Sequence, residues 1–228
     1  MTALRVSAII PAAGLGQRFG EKKQFKLLAG RPLLFHTLIP FFHTEKIREI
    51  ILVLPDNELD KIRRDVISIS GGKPVQFVTG GQRRQDSVKN GLQAASANSD
   101  FVCIHDAARP FVTKKLICDS INACKNVDGA VIALPSKDTV KFSEDGMVEK
   151  TIDREKVWLA QTPQTFNKEK LLKALKNADL LNINGTDESV LMEFMGYSIR
   201  LAVGHTNNFK VTTFEDWQRA ESLVIQKN

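Results

Sequence analysis

Short runs of aliphatic and β-branched residues recur along the chain and alternate with stretches of helical spacing. Residues 6–10, 49–54, 74–78, 101–105 and 130–134 have the length and composition of buried strands. Residues 33–42, 57–69 and 87–95 place apolar side chains at three- and four-residue intervals, as on one face of a helix. Strands alternating with helices predict an α/β fold, a Rossmann-like and mostly parallel sheet with helices on both faces. Residues 137–159 break the rhythm. There the polar strands 139–142 and 147–150 flank Ser143-Glu144-Asp145-Gly146, and Asp-Gly is a strong hairpin signal. Such a pair is too polar for a core, so it predicts a hairpin arm on the surface or reaching to a second subunit. Trp217, Ala220, Leu223 and Val224 mark one face of a helix within residues 212–225.

No internal repeat or linker divides the 228 residues, which read as a single domain, residues 1–228, with an inserted arm at about 137–159. A 43% hydrophobic content supports a core without disulfide staples. No apolar run reaches the roughly 20 residues of a membrane helix, and residues 1–11 are too short for a signal peptide. Cys103, Cys118 and Cys124 are odd in number and lack C-x-x-C spacing, which disfavours a disulfide framework or zinc site and predicts a reducing cytoplasm. The net charge of +6 suggests an anionic partner, and its placement must decide which.

That placement is informative. The first strand runs into Pro11-Ala12-Ala13-Gly14-Leu15-Gly16-Gln17-Arg18-Phe19-Gly20, followed by Glu21, Lys22, Lys23, Gln24 and Lys26. Small residues let backbone N–H groups approach a phosphate, and the cations behind suit a polyphosphate. The spacing of Gly14, Gly16 and Gly20 fails the dinucleotide fingerprint, and no Gly is followed by Lys and then Ser or Thr as in a P-loop. The competing reading is a surface loop with solvated lysines.

The loop and the Lys23-Gln24 pair resemble the opening signature of the sugar- and polyol-phosphate nucleotidyltransferases. Gly80-Gly81-Gln82-Arg83-Arg84-Gln85-Asp86-Ser87-Val88, His105-Asp106-Ala107-Ala108-Arg109-Pro110, Thr162-Pro163-Gln164, Thr186-Asp187-Glu188 and Asn208-Phe209-Lys210-Val211-Thr212 follow in order. From about residue 6 to 221 the chain resembles the 2-C-methyl-D-erythritol 4-phosphate cytidylyltransferase family. The resemblance implies transfer of CMP from CTP to methylerythritol 4-phosphate with release of pyrophosphate, in isoprenoid precursor synthesis.

It also implies roles. Arg18, Lys23 and Lys210 would stabilise and align the transfer, and Ala12, Ala13, Gly14, Gly16, Gly81, Ser87 and Ala107 would hold the nucleotide. Asp106 would bind Mg²⁺ or another divalent cation; read alone, it is equally a helix cap. Arg109 would face the polyol phosphate, where a surface ion pair is the plainer reading. The arm would make a homodimer, with Thr139 and Arg154 serving the partner's site and Thr186 and Thr162 nearby. Ser87 read alone could equally cap the helix that follows it, and His105 reads as packed rather than catalytic. Lys22, Phe209 and Phe214 depart from the family's usual residues without removing a functional group.

Two rivals stand beside this. Ribitol 5-phosphate cytidylyltransferases share the fold and loop, but Ala107-Ala108 and the T-P-Q-T-F run favour the methylerythritol enzyme. A nucleic-acid-binding protein would display an aromatic-interleaved basic stripe, whereas the cations here cluster beside glycines. The expected partners are therefore CTP and a polyol phosphate, with neither nucleic acid nor membrane.

Overall fold

The computed structural model describes residues 4–14, 16 and 19–225. In chain order the elements are β1 (Val6–Pro11), β2 (Leu27–Leu28), β3 (Arg31–Pro32), α1 (Leu33–Phe42), β4 (Ile47–Leu54), α2 (Leu59–Ile69), β5 (Val75–Thr79), α3 (Arg84–Ala94) and β6 (Phe101–Ile104). Then come α4 (Lys114–Ala123), β7 (Gly129–Pro135), β8 (Val140–Glu144), β9 (Met147–Ile152), β10 (Trp158–Asn167), α5 (Lys168–Leu180), α6 (Glu188–Phe194), β11 (Ile199–Val203) and α7 (Phe214–Ile225). The five strands expected from their apolar runs all form, and the helix over 33–42 has those bounds.

A seven-stranded sheet in the order β11-β7-β10-β6-β1-β4-β5 organises the molecule. Its pairings are parallel except those of β10, which runs antiparallel to β6 and β7. Alternation along β1 decides the two cores. Val6, Ala8 and Ile10 pack with Leu34 and Leu38 of α1, Val66 of α2 and Ile117 of α4. Ile9 faces the other way, with Val88 of α3, Leu171 of α5 and Leu191 of α6. Helices therefore cover both faces, as a parallel sheet requires. A smaller cluster seats Trp217 and Ala220 of α7 against Leu28, Leu33, Phe111 and Val211.

The order also creates a crevice. From β1 the chain builds outward through β4 to β5, then returns to lay β6 on the other side of β1. Loops leaving β1 and β6 diverge at that switch point, where open α/β sheets bind ligands.

The strands β8 and β9 form a separate two-stranded sheet, turned at Asp145 and Gly146, both with positive φ. Its base closes where Ser136 N donates to Val157 O at 2.9 Å. Trp158 and Leu159 already pair with β7 in the main sheet, so the protrusion ends sooner than residue 159. Phe142, Met147 and Val148 are exposed on it. Cys103 and Cys124 are buried free thiols, raised to about 12 by burial, and Cys118 is half-buried. Among the described residues no helix is long and apolar enough to cross a membrane.

Candidate active site

A cleft of about 570 Å³ opens at the β1–β6 switch point. Its floor is the loop after β1, with Ala12, Ala13, Gly14 and Gly16; one wall is Gly80, Gly81 and the start of α3; the other carries Asp106, Ala107 and Lys210. Lys23 reaches in from the short 3₁₀ turn Lys23–Phe25.

The floor is tied down by a side chain. Buried Gln24 donates through Nε2 to the carbonyls of Ala12 and Gly14, both at 2.9 Å. That bracing holds the small-residue backbone open toward the cleft, and Gln24 had no role assigned from sequence. Lys22 turns away and pairs with Glu58 at 3.0 Å, leaving Lys23 as the lysine of this loop that lines the cleft. At Gly80 a Cβ would lie 2.1 Å from the Cβ of Ala13, so only glycine lets the two loops meet. Ser87 lies inside α3, which starts at Arg84 rather than at residue 87; it caps no helix. Its Oγ instead accepts the N–H of Gly81 at 3.1 Å and shapes the turn. Arg18 lies outside the described residues.

Asp106 caps no helix either, since residues 107 and 108 form a turn. Its carboxylate sits among cations: Oδ1 accepts from Arg84 Nε at 2.9 Å and Oδ2 from Lys210 Nζ at 2.8 Å, with Arg109 Nε at 4.0 Å. Burial alone would raise its pKa, but Arg84, Lys210 and Arg109 outweigh it and hold the group well below the ordinary carboxylate range. It is ionised at neutral pH. Arg84 in turn gives Nη1 to both oxygens of buried Glu188, at 2.7 and 2.9 Å. Burial would lower the Arg84 pKa; the charges of Asp106 and Glu188 raise it instead.

Behind this wall, β10 supplies a brace. Its pairing with β7 shifts between Ala160 and Gln164, as at a bulge, which releases Gln161 and Thr162 from the ladder. Thr162 is buried, and its Oγ1 accepts the N–H of Asp106 at 3.1 Å. Asn208 Nδ2 donates to Thr162 O at 2.7 Å and to Gln161 Oε1 at 3.2 Å. Arg109 Nη1 donates to Asn208 O at 2.8 Å, and Val211 N to Ala108 O at 2.8 Å. The loops carrying Asp106 and Lys210 are thus one braced unit.

The expected site residues accordingly divide. Ala12, Ala13, Gly14, Gly16, Lys23, Gly81, Ser87, Asp106, Ala107 and Lys210 line one cleft. Thr162 and Arg109 stand behind it. Thr186 is exposed at the loop before α6, and Thr139 and Arg154 are exposed on and beside the arm, where Arg154 Nη1 donates to Lys137 O at 3.1 Å. Arg84, within the motif at residues 80–88, also lines the cleft, a role its local sequence does not mark. A helix begun at residue 84 would have put it on the face of Ser87.

The family model for 2-C-methyl-D-erythritol 4-phosphate cytidylyltransferase matches residues 6–226. The chain belongs to that family. It is 40% identical to the 2-C-methyl-D-erythritol 4-phosphate cytidylyltransferase of Geobacter metallireducens over 230 residues, covering 98% of this chain and 99% of the relative. The crystal structure of 4-diphosphocytidyl-2C-methyl-D-erythritol synthase from Anaerococcus prevotii superposes with a TM-score of 0.88 at 32% identity, over 98% of this chain and 99% of that one. The Thermus thermophilus cytidylyltransferase gives 0.79 at 32% identity, over 97% and 100%. The protein is therefore an enzyme, a nucleotidyltransferase, and these matches favour the methylerythritol family over the ribitol alternative.

For a cytidylyltransferase of this family, the donor set around Asp106 bears on metal binding. Among the described residues no three His, Cys, Asp or Glu side chains gather as a metal cage. Asp106 is one ionised carboxylate whose oxygens each keep a lone pair beyond the Arg84 and Lys210 bonds. That fits Mg²⁺, which is commonly held by one carboxylate plus substrate phosphates and waters. Asn208 commits its Nδ2 to the brace, and its buried Oδ1 has no hydrogen-bond partner among the described residues.

Proposed function

We propose that the cleft binds CTP with a divalent cation and transfers its CMP group to 2-C-methyl-D-erythritol 4-phosphate, releasing pyrophosphate and forming the CDP-linked alcohol, a step of isoprenoid precursor synthesis. An oxygen of the polyol phosphate attacks the α-phosphorus of CTP, and the bond to the β,γ-pyrophosphate breaks. The phosphate is already a nucleophile, so positioning and charge neutralisation carry the catalysis. The observation that carries this reading is the convergence of Lys23, Lys210 and Asp106 on a small-residue cleft at the sheet's switch point.

In this reading the backbone of Ala12, Ala13, Gly14 and Gly16, with Gly81, Ser87 and Ala107, frames the base and ribose. Lys23 and Lys210, with Arg18, neutralise charge developing on the phosphates. Mg²⁺ at Asp106 supplies further neutralisation of the triphosphate when bound. Arg109 orients the polyol phosphate through its loop, and Thr162 holds the Asp106 backbone in place. The arm joins two chains into a homodimer and delivers Thr139 and Arg154 to the partner's site, near Thr186. Exposed Phe142, Met147 and Val148 support an arm that docks on another surface. The enzyme acts in the cytoplasm.

Pyrophosphate release with CTP and Mg²⁺ tests this, with methylerythritol 4-phosphate and ribitol 5-phosphate supplied in parallel. Release with the first alone, abolished by Asp106→Ala, is expected. Release with ribitol 5-phosphate alone reassigns the acceptor, and silence with both refutes the reading.

A further inference from the structure

Glu188 is a buried carboxylate that does not line the cleft, yet it is bound to a residue that does. It is 1% exposed and opens α6, where Asp187 already caps the helix by accepting from Val190 N at 3.2 Å. Helix capping therefore does not require it. Its partner is Arg84, whose guanidinium uses two different edges: Nη1 for Glu188 and Nε for Asp106. A planar fork gripping two carboxylates sets the angle between them, which a lysine could not do. A buried ion chain adds little net stability over apolar packing of the same volume, so geometry is what it supplies.

We infer that Glu188 and Arg84 form a positioning pair for the transfer reaction, in which Glu188 anchors Arg84 so that Arg84 in turn fixes the Asp106 carboxylate facing the cleft. Resting on the reaction proposed above, this gives Glu188, behind the cleft, and Arg84, in its wall, roles exerted through Asp106. The anchor acts in two ways. It directs which lone pairs of Asp106 point into the cleft, because Oδ1 is committed to Arg84 and Oδ2 to Lys210. It also restrains a guanidinium at the cleft wall that would otherwise be held by Asp106 alone. A released Arg84 would grip the ground state while Asp106 and Lys210 lost their register, so turnover falls without weaker nucleotide binding.

Steady-state kinetics on Glu188→Ala, Glu188→Gln, Arg84→Ala and the Arg84→Ala/Glu188→Ala double variant test the pair. Thermal unfolding followed by circular dichroism accompanies each. Glu188→Ala is expected to lower kcat by about tenfold or more, the scale of a misplaced catalytic group, with KM for CTP unchanged or lower. Glu188→Gln keeps an acceptor for Nη1 and should regain part of the loss. If Glu188 acts through Arg84, the double variant is no slower than Arg84→Ala alone. Multiplying losses would overturn the inference, as would a lowered Tm with normal kcat in either Glu188 variant, or a raised KM for CTP with kcat intact. Should Glu188→Ala not fold, Glu188→Gln with wild-type kcat is the overturning result. Wild-type protein that releases no pyrophosphate would instead refute the reaction itself.

Discussion

The hydroxyl of Thr162 donates to Nδ1 of His105 at 3.0 Å while its oxygen accepts the backbone N–H of Asp106 at 3.1 Å. The other ring nitrogen, Nε2, lies 3.2 Å from the carbonyl of Arg109, so it carries the proton and donates. One neutral imidazole thereby spans both ends of the Asp106–Arg109 turn. Its packed position matches what its place at a strand end implied.

This arrangement makes stability depend on pH. Burial pushes the His105 pKa from 6.5 down to about 4, against the hydrogen bond to the Arg109 carbonyl and the charge of Asp106. Between those values the unfolded chain binds a proton that the folded chain refuses. Stability is thus full above pH 6.5 and falls as pH drops toward 4, by about 3 kcal/mol when complete. Urea unfolding of the metal-free protein at pH 7 and pH 4.5 measures it, and His105→Gln should flatten this component. Equal pH dependence in the two proteins would refute the assignment.

Gln24→Ala should loosen the cleft floor. It strips the carbonyls of Ala12 and Gly14 of their side-chain donor. Leaving a buried carbonyl without a partner costs about 1–3 kcal/mol, so a lower Tm is expected together with a several-fold higher KM for CTP. A variant that binds CTP like the wild type would show that the loop holds its shape without the strut.

Gly80→Ala should be more damaging. Its new methyl would meet the Ala13 Cβ at 2.1 Å and Ser87 Oγ at 3.1 Å, and the latter already serves Gly81. Either the floor or the wall must retreat, at about 1–3 kcal/mol for overpacking, and CTP affinity should fall by tenfold or more. Calorimetric titration with CTP decides it; unchanged affinity would mean that the two loops separate freely.

Arg154→Ala tests the arm. If this side chain serves the partner's site, KM for the polyol phosphate rises roughly tenfold, the scale of one lost charge-assisted bond, while KM for CTP and the dimer persist. Kinetics paired with light scattering would show this. An unchanged polyol KM sinks the assignment.

Elements with a local signature were legible. The strands at 6–10, 49–54, 74–78, 101–105 and 130–134 and the helix at 33–42 declare themselves by spacing, because a buried face repeats with the period of the backbone that presents it. The hairpin was legible in Asp145-Gly146, since few residues accept its positive φ. β10 was not. Its Gln161-Thr162-Pro163-Gln164 stretch is polar, interrupted by proline and out of register, so nothing local marks it as a central strand.

By itself the sequence determined the α/β alternation, the small-residue loop with its cations, and through six ordered motifs the family. Its local order states which residue types follow one another, and that suffices for strand, helix, turn and motif. Only the tertiary structure decided that β6 returns beside β1 to open the cleft, that Lys23 rather than Lys22 faces it, and that Thr162 braces Asp106 from behind. It alone joined Arg84 to Glu188 across a separation of 104 residues. Periodicity records that a side chain is buried or exposed, but which charge it meets depends on sheet order, and sheet order is set by packing over the whole chain.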